Sequence, residues 1–557
     1  MDHTLQARVA EVIRKLYDVE ITSVLSRPDA QFGDYATNVA LQLAGKLGKN
    51  PREIAEEIAE ELRSEEGVKE VTIAGPGFIN IALTDAALLA GLEQGTAKTR
   101  QGKTVLVEYS DPNPLKPLHA GHLYTTLVGD SIARLLEETG ANVIRLNYGG
   151  DVGRHIGISM WSILRELGGE HPEKLSEIAE ADRPSWLGAR YVEGTAAFED
   201  DEQAKREIIE INKRVYQLHT DDDHDSPFAK VYWTVRQWSY DYFNVLYSQL
   251  QVKPFNRFIP ESEVTQLGLD IVREQLARGI YKESQGAVVF EGEPFGLHTR
   301  VFINSEGLPT YETKDVGLIH RKWEDYHFDE SIVITANEQS QYYEVMLKSV
   351  EQFNPEPVQR SVHLAHGVVK LQGGVKMSSR KGNIVSALDI IAAAHEAGQE
   401  SGLNPSEDTI LAAIKYALAK NRIGGDIVYD PKESIALEGN SGPYLQYAHA
   451  RARSILAKAT GELEAVSAIE ELTDDERSFA LKLSLCSEVV DRAIDELMPH
   501  HVCTYLYELA QEFNRFYEKN RVLGDEREAQ RLALVNVYAA SLKKGLDLLG
   551  ITAPERM

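Results

Sequence analysis

Two apolar periods alternate along the chain, and the switches between them mark its architecture. Met1 to Glu20 reads as a charged amphipathic helix, and a second helix ends near Gly48. PREIAEEIAEEL opens a third helix with Pro51 at the first helical position, where a missing N–H costs nothing. VKEVTIA and FINIAL then alternate with period two on either side of Gly75–Pro76–Gly77, which predicts two strands joined by a turn. From Gly102 the order becomes strand (Thr104–Val107), helix (Leu123–Glu138, stopped by Gly140) and strand (Val143–Leu146). A βαβ unit of this kind predicts an α/β doubly wound, Rossmann-type parallel sheet. The stretch from about residue 157 to 296 reads as a helical, strongly charged insertion between the halves of that fold, with Glu199–Glu202 and Asp221–Asp225 as solvated surface. IVITA (Ile332–Ala336) returns as a strand of the second half. From Asp389 onward helical periodicity dominates, with helices near 440–460, 472–498, 500–520 and 526–549. The expected division is an α/β domain over 1–100, a nucleotide-binding domain over 101–388, a helical junction over 389–430 and an all-α bundle over 431–557.

At 557 residues the chain has ample length for several cores. Its net charge of −27 argues against indiscriminate binding of nucleic acid, so any such partner must be met by local basic patches. No apolar run approaches the roughly 20 residues of a membrane span. The two cysteines, Cys486 and Cys503, lie in apolar helical surroundings. They read as buried, reduced thiols, which suits the cytosol and supplies no zinc site. No metal-ligand spacing stands out, and no GxxxxGK[ST] sequence points to a P-loop ATPase.

The chemistry concentrates in two segments. DPNPLKPLHAGH (Asp111 to His122) lies where the first strand of the βαβ unit hands over to its helix. Free N–H groups and the positive end of the helix dipole make such a turn a phosphate site. His119 and His122 can donate to a phosphoryl oxygen there, and Gly121 lets a flat base lie against the backbone. The second segment, GGVKMSSRKGN, puts Lys376, Arg380 and Lys381 within six residues, able to follow charge developing on a triphosphate.

Together, HAGH and KMSSR resemble the HIGH and KMSKS signatures of class I aminoacyl-tRNA synthetases. The second lysine of the family pattern is Ser379 here, and Lys116 stands just ahead of HAGH. VEYSDPNPLKPLHAGH, SGPYLQYAHARARSIL, LDLLGITAPERM, QFGDYATNVALQLA and AGPGFINIAL are similar to arginyl-tRNA synthetases, so the resemblance spans nearly the whole chain. It implies ATP-dependent activation of arginine, with Mg²⁺, and transfer to the terminal adenosine of arginine tRNA by a monomeric cytoplasmic ligase. Another class I synthetase, a small-molecule adenylyltransferase or a non-catalytic tRNA-binding relative are the alternatives. The long helical C-terminal part speaks against the adenylyltransferase, and intact His119, Gly121, His122 and Lys376 speak against the non-catalytic relative.

An arginine pocket needs carboxylates set to accept from a planar fork of donors. Glu108, at the end of the first strand, and Asp315, in YETKD, suit this, with Tyr311 one helical turn before Asp315. The resemblance assigns the same three residues. Asn113 and Gln339 fit the substrate's α-amino and carboxylate groups, with Gln341 two residues away from the latter. Gly149, Gly150 and Asp151 are candidates for ribose or adenine. His363, His366 and Gly367 are equally consistent with an adenine contact and with packing. On the triphosphate, His119, His122, Lys116 and Lys376 are the expected catalytic groups, with Met377, Ser378 and Arg380 completing the nucleotide site. Tyr444, Tyr447, His449, Arg451 and Arg453 mix aromatic and cationic groups as a grip on single-stranded bases would. For Tyr447 a core position is equally open. Asn514 is a further RNA candidate, whereas Phe513, Phe516 and Tyr517 read as core. The resemblance also implies that the N-terminal domain, with Phe32 and Asn38, touches the tRNA elbow.

Overall fold

The computed structural model describes residues 2–21, 25–93, 95–372, 385–402, 404–459 and 465–557. The N-terminal unit forms as its pattern predicts. Its first helix spans Asp2–Tyr17, and the next, Val39–Leu47, ends where Gly48 takes the left-handed conformation (φ 62°). Asn50 caps the helix Pro51–Leu62 by accepting from the Arg52 N–H at 2.9 Å. Strands β1 (Tyr35–Thr37), β2 (Val68–Ala74) and β3 (Phe78–Leu83) make an antiparallel sheet in the order β1-β3-β2. The helices cover it to form a core of their own, with Val9, Leu43, Ile58 and Ile81 inaccessible to solvent.

The sheet of the second domain has five parallel strands. They are β4 (Thr104–Glu108), β5 (Asn142–Gly149), β6 (Arg257–Pro260), then, after the antiparallel β7 (Lys282–Ser284), β8 (Ala287–Phe290) and β9 (Arg300–Ile303), β10 (Glu330–Ala336) and β11 (Ser361–His366). Their order is β11-β10-β4-β5-β6. The expected single insertion over about 157–296 is therefore corrected. Helices Arg154–Leu167, Arg183–Asp200, Glu202–Thr220 and Pro227–Gln249 do leave the sheet, but β6 returns as its edge strand before the chain departs again. Its four residues are too few to show a period-two signal among helices. The acidic stretches Glu199–Glu202 and Asp221–Asp225 are largely exposed, as expected.

The junction is mainly helical, with Ala387–Glu400 and Glu407–Ala419, but it also contains β13 (Ile427–Tyr429), paired in parallel with β12 (Val369–Leu371). The bundle helices Gly442–Ala457, Asp474–Asp495, His500–Lys519 and Glu528–Leu548 match the periodicity closely. One continuous apolar cluster runs from β4 (Val105, Val107) through Ile410 and Ile414 of the junction to Leu506, Phe513 and Leu546 of the bundle. Burying that seam stabilises the contact between the parallel sheet and the bundle. Cys503 is buried, Cys486 partly so, and both are free thiols. No helix among the described residues is long and apolar enough to cross a membrane.

Candidate active site

In this strand order the winding of the sheet reverses between β4 and β10, and ligands of doubly wound sheets bind outside the strands' carboxyl ends at such a point. A cavity of about 500 Å³ lies there, walled by Glu108 at the end of β4 and by Val333 to Ala336 at the end of β10. The loop after β4 is wound tightly over it. Ser110, Asp111 and Leu115 all take positive φ (76°, 47° and 61°), which costs a residue bearing a Cβ. Buried hydrogen bonds hold them. Asp111 accepts from the Tyr148 N–H at 2.7 Å, and the Leu115 N–H donates to Ser239 Oγ at 2.9 Å. This winding turns Asn113, Lys116, His119 and His122 into the cavity.

The helix over the site spans Ala120–Glu138, three residues earlier than the periodicity predicts, with His119 as its N-cap and His122 in its first turn. The His119 N–H donates to His122 Nδ1 at 3.2 Å, and the two rings stack with centroids 3.7 Å apart. Burial, reinforced by the Lys116 cation, brings His119 down to about 4 and holds His122 well below its ordinary value. Both are neutral at pH 7, each with one N–H to offer. A Cβ on Gly121 would sit 2.9 Å from His119 Nδ1, so this glycine makes room for the histidine ring as well as for any base.

The chain around the second signature meets the first. The Ala120 N–H donates to the Val385 carbonyl at 2.8 Å, the Ala387 N–H donates to the Leu118 carbonyl at 3.0 Å, and His366 lines the cavity. Lys376, Met377, Ser378, Ser379, Arg380 and Lys381 lie outside the described residues.

At the opposite end the cavity is acidic. Asp315 lies on the helix Tyr311–Tyr326, one turn after Tyr311, and both line the cavity with Glu108. Glu108 is paired with the buried Lys322 at 2.9 Å, and Glu261, just past β6, is paired with the buried Lys314. Asp315 has no ion pair among the described residues. Burial, with Glu108 and Glu261 nearby, pushes its carboxyl up to about 8.

Other expected residues fall into place or out of it. Asn113 Oδ1 accepts from the Gly150 N–H at 3.0 Å, and a Cβ on Gly150 would come within 2.5 Å of that oxygen. Gln339 lines the cavity, whereas Gln341 is exposed outside it. Asp151 is corrected: its carboxylate is completely buried and accepts from the Ser262 N–H (2.9 Å), Ser262 Oγ (2.7 Å) and Arg236 Nε (2.9 Å), which leaves nothing for a nucleotide. Gly367 is not among the residues lining the cavity, and a Cβ there would meet the Gly425 backbone at 2.4 Å, so its small size serves packing. His363 is hydrogen-bonded to Thr335 Oγ1 at 2.7 Å.

Sequence reasoning missed Glu261, Lys314, Lys322, Tyr148 and Tyr342. Lys322, two helical turns after Asp315, could have been found by helical spacing once Asp315 was suspected. Tyr148 and Glu261 carried no signal, because their place depends on the pairing of β5 with β6.

In the bundle, Asn514 donates to Tyr444 Oη at 3.0 Å and accepts from Arg451 Nη1 at 3.1 Å. Arg453 is paired with Glu555 at 2.6 Å. His449 is corrected as an RNA contact: it is buried and bonded through Nδ1 to the Pro554 carbonyl at 2.8 Å, clamping the C-terminal tail. Tyr447 is exposed, which removes the core alternative. Phe32 and Asn38 are also exposed, and Phe513 and Phe516 are core.

A doubly wound sheet carrying a His-x-Gly-His helix start over its switch point defines a nucleotide-activating catalytic domain. Residues 84–429 match the family of tRNA synthetases class I (R), catalytic domain. Residues 3–83 match the arginyl tRNA synthetase N terminal domain, and residues 445–557 match the DALR anticodon binding domain. The chain is 32% identical to an arginine–tRNA ligase of Synechococcus sp., over 95% of its own length and 94% of that protein's. It is 33% identical to the arginine–tRNA ligase of Thermobifida fusca, over 96% of each. Its fold resembles Thermus thermophilus arginyl-tRNA synthetase with a TM-score of 0.81 at 26% identity, covering 100% of both chains. The chain belongs to the arginyl-tRNA synthetase family of class I aminoacyl-tRNA synthetases.

Proposed function

We propose that this chain is an arginine–tRNA ligase that uses ATP to activate L-arginine and esterifies the 3′-terminal adenosine of arginine tRNA. The observation that carries the reading is Asp315, without a cationic partner among the described residues, facing a neutral histidine pair across one cavity. A cationic side chain is drawn to the first and a triphosphate to the second.

In the first step an arginine carboxylate oxygen attacks the α-phosphorus of ATP in line. The P–O bond to the β-phosphate breaks, and arginyl-adenylate and pyrophosphate result. Asp315, Glu108 and Tyr311 hold the guanidinium, while Asn113 and Gln339 orient the α-amino and carboxylate groups. N–H groups of His119 and His122, together with Lys116, stabilise charge on the phosphate oxygens. No side chain becomes covalently attached. In the second step the 2′-hydroxyl of the terminal adenosine attacks the mixed anhydride and AMP leaves. Among the described residues no group of three or more His, Cys, Asp or Glu is arranged to hold a metal. Mg²⁺ entering with the nucleotide would supply charge neutralisation on the phosphates.

Charging assays with each amino acid separately test the assignment, and arginine alone should be esterified to tRNA. Pyrophosphate exchange with ATP and arginine should stay near zero until cognate tRNA is added. Robust exchange without tRNA would contradict that coupling. The protein acts as a cytoplasmic monomer in this reading, which sedimentation at micromolar concentration checks for oligomeric state.

A further inference from the structure

Several buried side-chain polar atoms have no hydrogen-bond partner among the described residues, and only one of them, the Tyr148 hydroxyl, belongs to a residue lining the catalytic cavity. Buried hydroxyls in folded proteins are nearly always paired, so an orphan on a residue that lines a substrate cavity points to a ligand atom. Its placement says which. Leu146 stands opposite Glu108 in the β4–β5 register, and Tyr148, two residues on, shares that face of the sheet. Leu318 of the Asp315 helix packs in the same cluster as Tyr148. The neighbouring carboxylates already have partners, since Lys322 pairs with Glu108, Lys314 pairs with Glu261, and Tyr342 is hydrogen-bonded to Asp315. Burial holds the Tyr148 phenol well above its ordinary value, so it stays neutral and its oxygen can accept.

A guanidinium carries five N–H donors in a plane, more than one carboxylate edge can take. We infer that Tyr148 Oη accepts an N–H from the guanidinium of bound arginine beside Asp315, which makes Tyr148 a specificity-determining residue for the amino acid. The inference rests on the arginine assignment made above.

Tyr148→Phe removes the oxygen and leaves the ring's packing intact. Its arginine KM and Kd should rise about tenfold, as expected for one hydrogen bond to a charged group. The kcat and the KM for ATP should stay within about twofold of wild type. The thermal upshift on adding arginine should shrink while the upshift on adding ATP persists, which also reports that the variant is folded. An arginine KM within about twofold of wild type overturns the contact. So do arginine and ATP constants that rise together, since that indicates a distorted strand end. A wild-type protein with no arginine upshift and no arginine charging removes the arginine assignment itself, and the contact with it.

Discussion

In the C-terminal bundle, Asn514 is bonded to both Tyr444 and Arg451, buried His449 holds the chain's own tail, and Arg453 pairs with Glu555 at the surface. In the catalytic cavity, Asp315 lacks a cation and the Tyr148 hydroxyl lacks a partner among the described residues, and His119 and His122 are neutral where charge would develop. Under the proposed function, the difference separates residues that hold a surface in shape from residues whose bonding capacity awaits a ligand. Buried groups left unsatisfied are costly, and at a substrate cavity a bound ligand can offset that cost.

The largest expected effect that probes this contrast is at Asp315. Asp315→Ala should lower kcat/KM for arginine on the order of a thousandfold, the consequence of leaving a guanidinium buried without its counter-charge. Pyrophosphate exchange in the presence of tRNA measures it, and a loss under about tenfold would mean that another carboxylate carries the charge. Gly121→Ala should push against the His119 ring and cut kcat about ten- to a hundredfold, within the range of one lost stabilising donor. The KM for arginine should hold steady, which separates the two ends of the cavity.

The pH dependence follows from the same carboxyl. With its value at about 8 in the empty site, Asp315 is protonated at pH 7 and must lose that proton to pair with a guanidinium. Arginine affinity should strengthen by up to about tenfold per pH unit between pH 6 and 8 and level off above. Calorimetry in two buffers of different ionisation heat should show proton release on binding at pH 7, and no release would refute it. Because the folded protein holds this proton to higher pH than the unfolded chain, the Asp315 contribution to stability is greatest at low pH. It declines as pH rises from the ordinary carboxylate range to about 8.

The smallest effects lie in the bundle. Tyr447→Ala should weaken tRNA binding about tenfold, the worth of one stacked base, without shifting the melting temperature. His449→Ala should do the reverse, costing about 1–2 kcal/mol of stability through its lost bond to Pro554 while tRNA affinity stays within about twofold. If His449→Ala also abolished tRNA binding, the division between structural and ligand-reserved groups in the bundle would need redrawing.

Much of this molecule is legible in one dimension. Caps such as Asn50 and stops such as Gly48 and Gly140 act on neighbouring backbone, and the bundle helices bury a stripe set by their own 3.6-residue period. The HAGH turn is likewise local, since strand, turn and helix start are contiguous. What the sequence alone left open depends on partners far apart along the chain. The short edge strand β6 becomes a strand only by pairing with β5, and the roles of Asp151 and His449 follow from Ser262 and Pro554, which lie 111 and 105 residues away. The charge state of the acidic slot is also a property of three dimensions. Lys322 neutralises Glu108 across 214 residues while Asp315 is left without a cation, and no local pattern encodes which carboxylate a lysine will reach once both are buried.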